Sequence, residues 1–221
     1  NTLYIFITQS GETSDTLKSV EKVKSLSNLP TLCITNNEDS TIWKTCDYKV
    51  ACYAGVEQGI AATKSFTSQM LCLILISLKL VENVHGVDAT NEYKKSLFSL
   101  PIIIEKALAR RDDIKELAQF LSKENLIVIT ADGISYSLAK EACLKIKETS
   151  YKNISAAILG EFMHGHVAVF NNKGALIYIA VDEISKRSIS NLQKIKADYN
   201  PKLVIIGPSS DELKPDYNIN I

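Results

Sequence analysis

The chain has 221 residues, 46% of them hydrophobic, with 25 basic and 25 acidic side chains and no formal net charge. That length suits one large domain or two small ones, and the apolar share is enough for a packed core and excludes a disordered chain. Balanced charge without a basic stripe gives no footprint for nucleic acid.

Five cysteines, Cys33, Cys46, Cys52, Cys72 and Cys143, are odd in number and scattered at no metal-ligand spacing. They read as reduced core thiols of a cytoplasmic protein. The most apolar stretch, Met70 to Val81, is interrupted by Ser77 and Lys79. It is too short to span a bilayer and is expected as a buried helix, and no membrane partner or secretory signal is expected.

In chain order, Leu3 to Ile7 is short, β-branched and aromatic-rich, the pattern of a buried parallel strand. A hydroxyl-rich turn, Thr8 to Thr13, follows it. Leu17, Val20 and Val23 then recur at helical spacing to about Leu26, with Ser14 or Asp15 as the N-cap. After the break at Asn28-Leu29-Pro30 come a strand over Thr31 to Thr35, a short helix through Trp43, and a strand near Tyr48 to Cys52. Gly55 to Gly59 makes a loop, and Thr63 opens the long apolar helix to about Val84. Asn83 to Leu100, edged by Gly86 and Pro101, is the expected junction between halves.

Helices from about Ile103 and over Asp112 to Ser122 lead into the second half. There, Leu126 to Thr130 is a strand, Ala131 to Ser135 a turn and Tyr136 to Ser150 a helix. A short strand over Ile154 to Ala157 and a helical turn over Gly160 to Gly165 come next. Ala175 to Val181 is a strand, Glu183 to Ala197 a helix and Leu203 to Ile206 a strand. Strands alternating with helices predict an α/β fold of parallel sheets covered on both faces, arranged as two loosely repeated halves, residues 1–100 and 101–221. Both halves are expected to be incomplete, the first at its N-terminal end and the second at its C-terminal end.

Three places could carry chemistry. The turn Thr8 to Thr13, set between a strand and a helix N-terminus, offers backbone N–H groups, the helix dipole and hydroxyls to an anion such as a phosphate. A capped Ser/Thr turn without a ligand explains the same residues, and one glycine is far short of a Walker motif. On the helix Tyr136 to Ser150, Glu141, Lys145 and Glu148 fall at i, i+4 and i+7 and share one face, with Leu138, Ala142 and Ile146 about a quarter-turn away. A carboxylate beside an ammonium suits a general base for proton transfer next to a carbonyl. A surface helix with ion pairs has the same spacing. His164, beside Gly165 in a short turn, is free to reach a ligand and suits proton transfer to a ring oxygen, and a solvated histidine explains it equally. His164, His166 and Glu161 match no metal motif, so no metal is expected. The hydroxyl-rich start at Ala61 to Thr67 reads as the capped beginning of a helix, with Thr63 as the cap.

Four blocks in order resemble the SIS (sugar isomerase) domain family, and within it the isomerase region of the glutamine–fructose-6-phosphate aminotransferases. They are Thr8-Gln9-Ser10-Gly11-Glu12-Thr13-Ser14-Asp15-Thr16-Leu17, Ala62 to Gln69, Glu141 to Tyr151, and Gly160-Glu161-Phe162-Met163-His164-Gly165. The resemblance implies two SIS subdomains, each a parallel sheet between helices in three αβα layers, and a homodimer with shared active sites. It implies that Thr8, Gln9, Ser10 and Thr13 bind the phosphate of a sugar or amino sugar, Thr8 standing where serine is usual. Glu148 would move a proton between C1 and C2, Lys145 would stabilise developing charge, and Glu141 would hold that helix and its lysine. His164, contributed by the neighbouring subunit, would assist ring opening. Ile60 and Ala62 replace a valine and a serine near the sugar, and His166 stands where proline is general. The family's N-terminal strand with its Gly-Thr-Ser loop, its C-terminal lysine segment and a glutaminase domain are not found in these residues. The implied reaction, which needs no cofactor, interconverts ketose and aldose sugar phosphates such as fructose 6-phosphate and glucosamine 6-phosphate. The alternatives are an amino-sugar-phosphate deaminase or deglycase and a non-catalytic sugar-phosphate sensor.

Overall fold

The computed structural model describes residues 2–26, 28–170, 173–208 and 210–220. It divides into two compact units, Asn1–Phe98 and Ser99–Ile221. The first contains β1 (Tyr4–Thr8), α1 (Ser14–Leu26), β2 (Thr31–Thr35), α2 (Thr41–Thr45), β3 (Tyr48–Ala51) and α3 (Lys64–His85). Its strands form a parallel sheet in the order β1-β2-β3, with Ile5 opposite Leu32 and Leu32 opposite Tyr48.

Alternation along β2 builds a core on each face of this sheet. Cys33 points to one face with Val20, Ile42 and Cys46, while Leu32 and Ile34 point to the other with Cys52 and Cys72. Helices therefore flank both faces, and β2 is buried throughout. The five cysteines are free and buried. Burial, followed by the neighbouring thiol, pushes Cys33 up to about 11 and Cys52 up to about 12.

Two expectations fail in this unit. β1 is not buried: it pairs on one side only, so Ile5 and Ile7 remain 42% and 41% exposed. Nor is α3 a buried helix. Cys72, with Leu73 and Ile76, covers β2 and β3, whereas Met70, Ile74, Leu80 and Val84 on its other sides are exposed. At 22 residues α3 has the length and composition of a membrane span, which Met70–Val81 alone does not. Its Cys72 face nonetheless packs as a sheet-covering helix does.

Beyond α3, a 3₁₀ turn (Val87–Thr90) leads into α4 (Asn91–Ala109), which crosses from the first unit to the second. Pro101 lies inside α4 rather than at its edge. The ring sets φ in the helical range, so the helix continues at the loss of one i→i−4 bond. Glu82 ties the end of α3 to this segment. Its carboxylate accepts from Thr90 Oγ1 at 2.7 Å and from Lys79 Nζ at 3.4 Å, and pairs with Lys94. These bonds, that from Lys94 foremost, hold Glu82 down to about 2. A carboxyl depressed by folding stabilises the fold above the ordinary glutamate range, and that stability is lost as pH falls toward the folded value. Thermal melts are expected to decline from about pH 4.5 down to pH 2, and Glu82→Gln should flatten that part of the profile while lowering the plateau above it.

The second unit holds α5 (Arg111–Ser122), β4 (Ile127–Ala131), α6 (Ser135–Ser150), β5 (Ile154–Ile158), α7 (Leu159–Phe162), β6 (Ala175–Ile179), α8 (Lys186–Tyr199), β7 (Lys202–Ile206) and β8 (Tyr217–Ile219). Its strands form a parallel sheet in the order β5-β4-β6-β7-β8. Val128, Leu176, Tyr178, Leu203 and Ile205 face one core with Leu192 and Ile195 of α8. Ile127, Ile129, Ile177 and Val204 face the other with Leu117 of α5 and Ala139 and Cys143 of α6. Near-continuous burial explains why β4 and β6 read as unbroken apolar runs.

Two details differ from the sequence pattern. β8 has too few apolar residues to announce itself and is fixed by pairing with β7, Ile206 opposite Ile219. α8 begins at Lys186 rather than Glu183, because Ser185 caps it by accepting from Ser188 N–H at 3.1 Å.

Candidate active site

The loop between β1 and α1 is shaped by its own hydroxyls. Thr8, 6% exposed, accepts from Gly11 N–H at 3.2 Å and shares a 3.1 Å bond with Thr13 Oγ1. Ser10 Oγ accepts from Glu12 N–H at 3.2 Å. The loop also leans on the one after β2: Gln9 carbonyl accepts from Asn36 N–H (3.1 Å) and Thr35 Oγ1 (3.3 Å), and Glu12 carboxylate accepts from Thr41 N–H (2.7 Å). This last bond holds Glu12 below the usual carboxylate range. Gly11 is required twice over, with φ at +71° and a Cβ position 2.1 Å from Ser40 Oγ.

The first intrahelical bond of α1 runs from Leu17 N–H to Thr13 carbonyl, which places Thr13 at the cap position instead of Ser14 or Asp15. The N–H groups ahead of Leu17 form the positive end of a 13-residue helix. Gln9 and Ser10 are half-buried and Thr13 exposed at this end, while Thr8 is enclosed and its hydroxyl engaged within the loop.

The start of α3 is capped differently from the expectation. Thr63 occupies the cap position without a capping bond. Glu57 caps the helix instead: its carboxylate accepts from Ser65 N–H at 3.0 Å and Thr63 Oγ1 at 3.2 Å, and these bonds hold it below the usual range. The bridge closes the loop that carries Ile60, fully exposed, and Ala62, half-buried. Glu57 escaped the sequence reading because it stands eight residues before its backbone partner, outside any capping-box spacing.

In the second unit, α6 brings Glu141, Lys145 and Glu148 together as their spacing predicts. Lys145 Nζ lies 2.7 Å from Glu148 and 3.6 Å from Glu141, and the three side chains are 24–32% exposed. The lysine is held above its ordinary range, first by the hydrogen bond to Glu148 and then by the Glu141 charge, against partial burial. The buried side of α6 is Ser135, Ala139 and Cys143, with Ala142 and Ile146 partly buried beside them. Leu138, expected in the apolar set, is 39% exposed because that set's centre is rotated toward Ala139 and Cys143.

His164 lies in the turn after α7, its N–H donating to Glu161 carbonyl at 3.0 Å and its ring exposed. Gly165, at φ +102°, turns the chain into a 3₁₀ segment, His166–Val169. His166 thus starts a helical turn, as a proline could at the same place. Among the described residues no hydrogen bond joins His164 to the lysine and its two carboxylates, and no cluster of three or more His, Cys, Asp or Glu could hold a metal ion.

This order of elements recurs in known proteins. The SIS domain pattern matches residues 1–78 and 120–219. A glutamine–fructose-6-phosphate aminotransferase (isomerizing) of Methanosarcina acetivorans is 35% identical over 199 residues, which cover 89% of this chain and 32% of that protein. One of Wigglesworthia glossinidia brevipalpis is 29% identical over all of this chain and 36% of its own length. The C-terminal domain of glucosamine-fructose-6-phosphate aminotransferase from Francisella tularensis superposes with a TM-score of 0.89 at 28% identity, over 99% of this chain and 63% of that one. The chain spans about a third of the length of the curated relatives it matches. Its loop, its lysine-centred helix and its two parallel sheets fall within the matched segments, and the chain belongs to the SIS domain family.

Proposed function

We propose that this chain supplies the isomerase function of a sugar-phosphate enzyme, interconverting ketose and aldose sugar or amino-sugar phosphates such as fructose 6-phosphate and glucosamine 6-phosphate. The observation that carries the reading is the lysine held between two carboxylates on a partly buried helix face, Glu148 at 2.7 Å and Glu141 at 3.6 Å. Phosphate binding needs the loop of the first unit, but a charge triad of this kind adds what proton transfer next to a carbonyl requires.

Glu148 takes the proton from C1 of the ketose or its imine. The C–H electron pair forms the C1=C2 double bond, and the former C2 double-bond pair moves to the oxygen or nitrogen on C2. Glu148 then returns the proton to C2, while the C1 hydroxyl proton passes to the oxygen or nitrogen on C2, leaving the carbonyl at C1. Lys145 stabilises the negative charge developed on the way, Glu141 keeps Lys145 in place, and His164 assists ring opening. Gln9, Ser10, Thr13 and the N-terminus of α1 hold the phosphate, and Thr8 shapes their loop through Gly11 and Thr13. Ile60 and Ala62 face the sugar. This reading includes a cytoplasmic location, no cofactor, no nucleic-acid or membrane partner, and a homodimer in which the partner subunit provides the histidine.

The test is ¹H/²H exchange at C1 and C2 of fructose 6-phosphate and glucosamine 6-phosphate, followed by NMR with the full-length protein, with and without ammonia or glutamine. Exchange at these carbons supports an isomerase. Ammonia released from glucosamine 6-phosphate without glutamine turns the reading to a deaminase, and tight binding without exchange turns it to a sensor. Ser10→Ala removes one hydroxyl donor at the loop and is expected to weaken sugar-phosphate binding about five- to tenfold, as loss of roughly 1–1.4 kcal/mol does. Isothermal titration of the sugar phosphate measures it, and affinity unchanged from wild type excludes Ser10 from the phosphate contacts.

A further inference from the structure

The strands of the first unit run parallel in the order β1-β2-β3, so three loops leave their C-terminal ends side by side: Gln9 to Thr13 after β1, Asn36 to Ser40 after β2, and the segment from Cys52 after β3. In open parallel sheets ligands bind outside these ends. The proposed phosphate loop is the first of the three, and the proposed sugar-facing residues, Ile60 and Ala62, are on the third. Two strand spacings, about 10 Å, separate the strands they leave.

Asn36, half-buried at the end of the central strand, bonds to both neighbouring loops. Its backbone N–H donates to Gln9 carbonyl at 3.1 Å. Its side-chain amide serves the other side: Nδ2 donates to Gly55 carbonyl at 2.7 Å, and Oδ1 accepts from Ala54 N–H at 2.8 Å.

The amide stands in for a strand that has ended. Pairing of β3 with β2 gives out after Cys52 N–H donates to Thr35 carbonyl at 2.9 Å, because Tyr53 at φ +50° and Gly55 at φ +69° turn the chain out of the extended range. Ala54 N–H and Gly55 carbonyl lose their strand partners there and are satisfied by one side chain. Asparagine suits the place because it presents one donor and one acceptor at this length, whereas aspartate has two acceptors and serine a single oxygen. The far end of the same loop is fixed by Glu57, which accepts from Thr63 Oγ1 at 3.2 Å and Ser65 N–H at 3.0 Å. Gln58 to Ala62, with Ile60 fully exposed, thus hang between two anchored points. One of these is tied through Asn36 to the carbonyl of Gln9.

We propose that Asn36 is a specificity-determining positioning residue: it fixes the separation between the loop that holds the phosphate and the loop that faces the sugar, and so the length of sugar phosphate the first unit accepts. It acts through Gln9 and the Ala54–Gly55 backbone and touches no reacting atom. The proposal rests on the assignment of those two loops under the isomerase reading.

The test is isothermal titration of the full-length wild type, Asn36→Ala and Asn36→Asp with fructose 6-phosphate, the one-carbon-shorter ribulose 5-phosphate, and inorganic phosphate. Wild type is expected to bind fructose 6-phosphate more tightly than ribulose 5-phosphate. Both variants keep the backbone N–H that holds Gln9, so their affinity for inorganic phosphate should stay within a factor of about two, while fructose 6-phosphate affinity falls about tenfold. The preference over ribulose 5-phosphate should shrink toward none. Asn36→Asp has the size of the native residue but sets a carboxylate oxygen against Gly55 carbonyl, so a loss as large as in Asn36→Ala identifies the hydrogen bonds, not packing, as the cause. Phosphate and sugar-phosphate affinity falling together, or a six- over five-carbon preference unchanged in either variant, would overturn the proposal. Wild type that binds all three probes alike would overturn the assignment of the sugar-facing loop and this proposal with it. That result is read before any variant is made, so the two failures are distinct.

Discussion

Replacing Glu148 with glutamine is expected to lower C1–C2 proton exchange by about 10²–10⁴-fold, the usual contribution of a positioned general base, while leaving sugar-phosphate affinity within a factor of about two. The separation follows from where the residue sits. Glutamine has the length of glutamate and can still accept from Lys145, now 2.7 Å from Glu148, and Glu141 at 3.6 Å continues to balance the lysine. The lost charge is that of a helical pair about a quarter exposed, so the stability cost is about 0.3–0.5 kcal/mol, too small to unfold the helix. The phosphate contacts assigned to Gln9, Ser10 and Thr13 belong to the other unit and are untouched. Deuterium incorporation in heavy water, alongside titration of fructose 6-phosphate, reads both quantities on the same sample. Exchange surviving at the wild-type rate would remove Glu148 as the base, and affinity lost together with exchange would make it a binding residue. Glu141→Gln provides the comparison: it should slow exchange less, because it touches Lys145 and not the carbon acid.

The difference between these two glutamates was legible in the sequence only up to a point. Spacing of three and four residues places Glu141, Lys145 and Glu148 on one helix face whatever surrounds them, and the structure gives the bonds that spacing predicts. Local rules of this kind also found β2, β4, α1 and α6 to within a residue or so, because burial of a central strand and periodicity of a helix are both written in the residues concerned. What stayed hidden depends on partners distant in the chain. β1 is at least as apolar as β2, yet one lies at the sheet edge and the other between two strands. The apolar length of α3 does not say that Cys72 faces β2 while Met70 and Leu80 face outward. Thr63 has the residue type of a cap, but Glu57 reaches back across a loop and takes the bond. Tyr217–Ile219 becomes a strand only because β7 is there to pair with it. The clamp at Asn36 was hidden in the same way. Its amide bonds Ala54 and Gly55, 18 and 19 residues further on, and no motif links them.

Gly11→Ala is expected to be the most damaging single-methyl change in the first unit, and its size can be argued from two separate causes. Alanine at φ +71° costs about 1–2 kcal/mol in backbone strain. The new Cβ would also lie 2.1 Å from Ser40 Oγ and 2.3 Å from Ser40 Cβ, inside any allowed contact, which adds about 1–3 kcal/mol of overpacking. Ser40 cannot turn aside cheaply: it is 1% exposed, donates to Asn37 carbonyl at 2.6 Å and caps α2. The loop must move instead, taking with it the Gly11 N–H bond to Thr8 and the Gly11 carbonyl that accepts from Ile42. Urea unfolding should therefore show a loss of about 2–5 kcal/mol, with sugar-phosphate binding lost at temperatures where the variant remains folded. Gly133→Ala separates the two causes, since Gly133 has φ +54° but nothing within 4 Å of the added Cβ; it should cost only the strain. Equal losses in the two variants would mean that Ser40 yields and that the β1–α1 loop is not held by the contact at all. A loss confined to Gly11→Ala beyond the shared strain would show that the loop's position is set from the β2–α2 side, because Ser40, Asn36 and Thr41 are what it rests on.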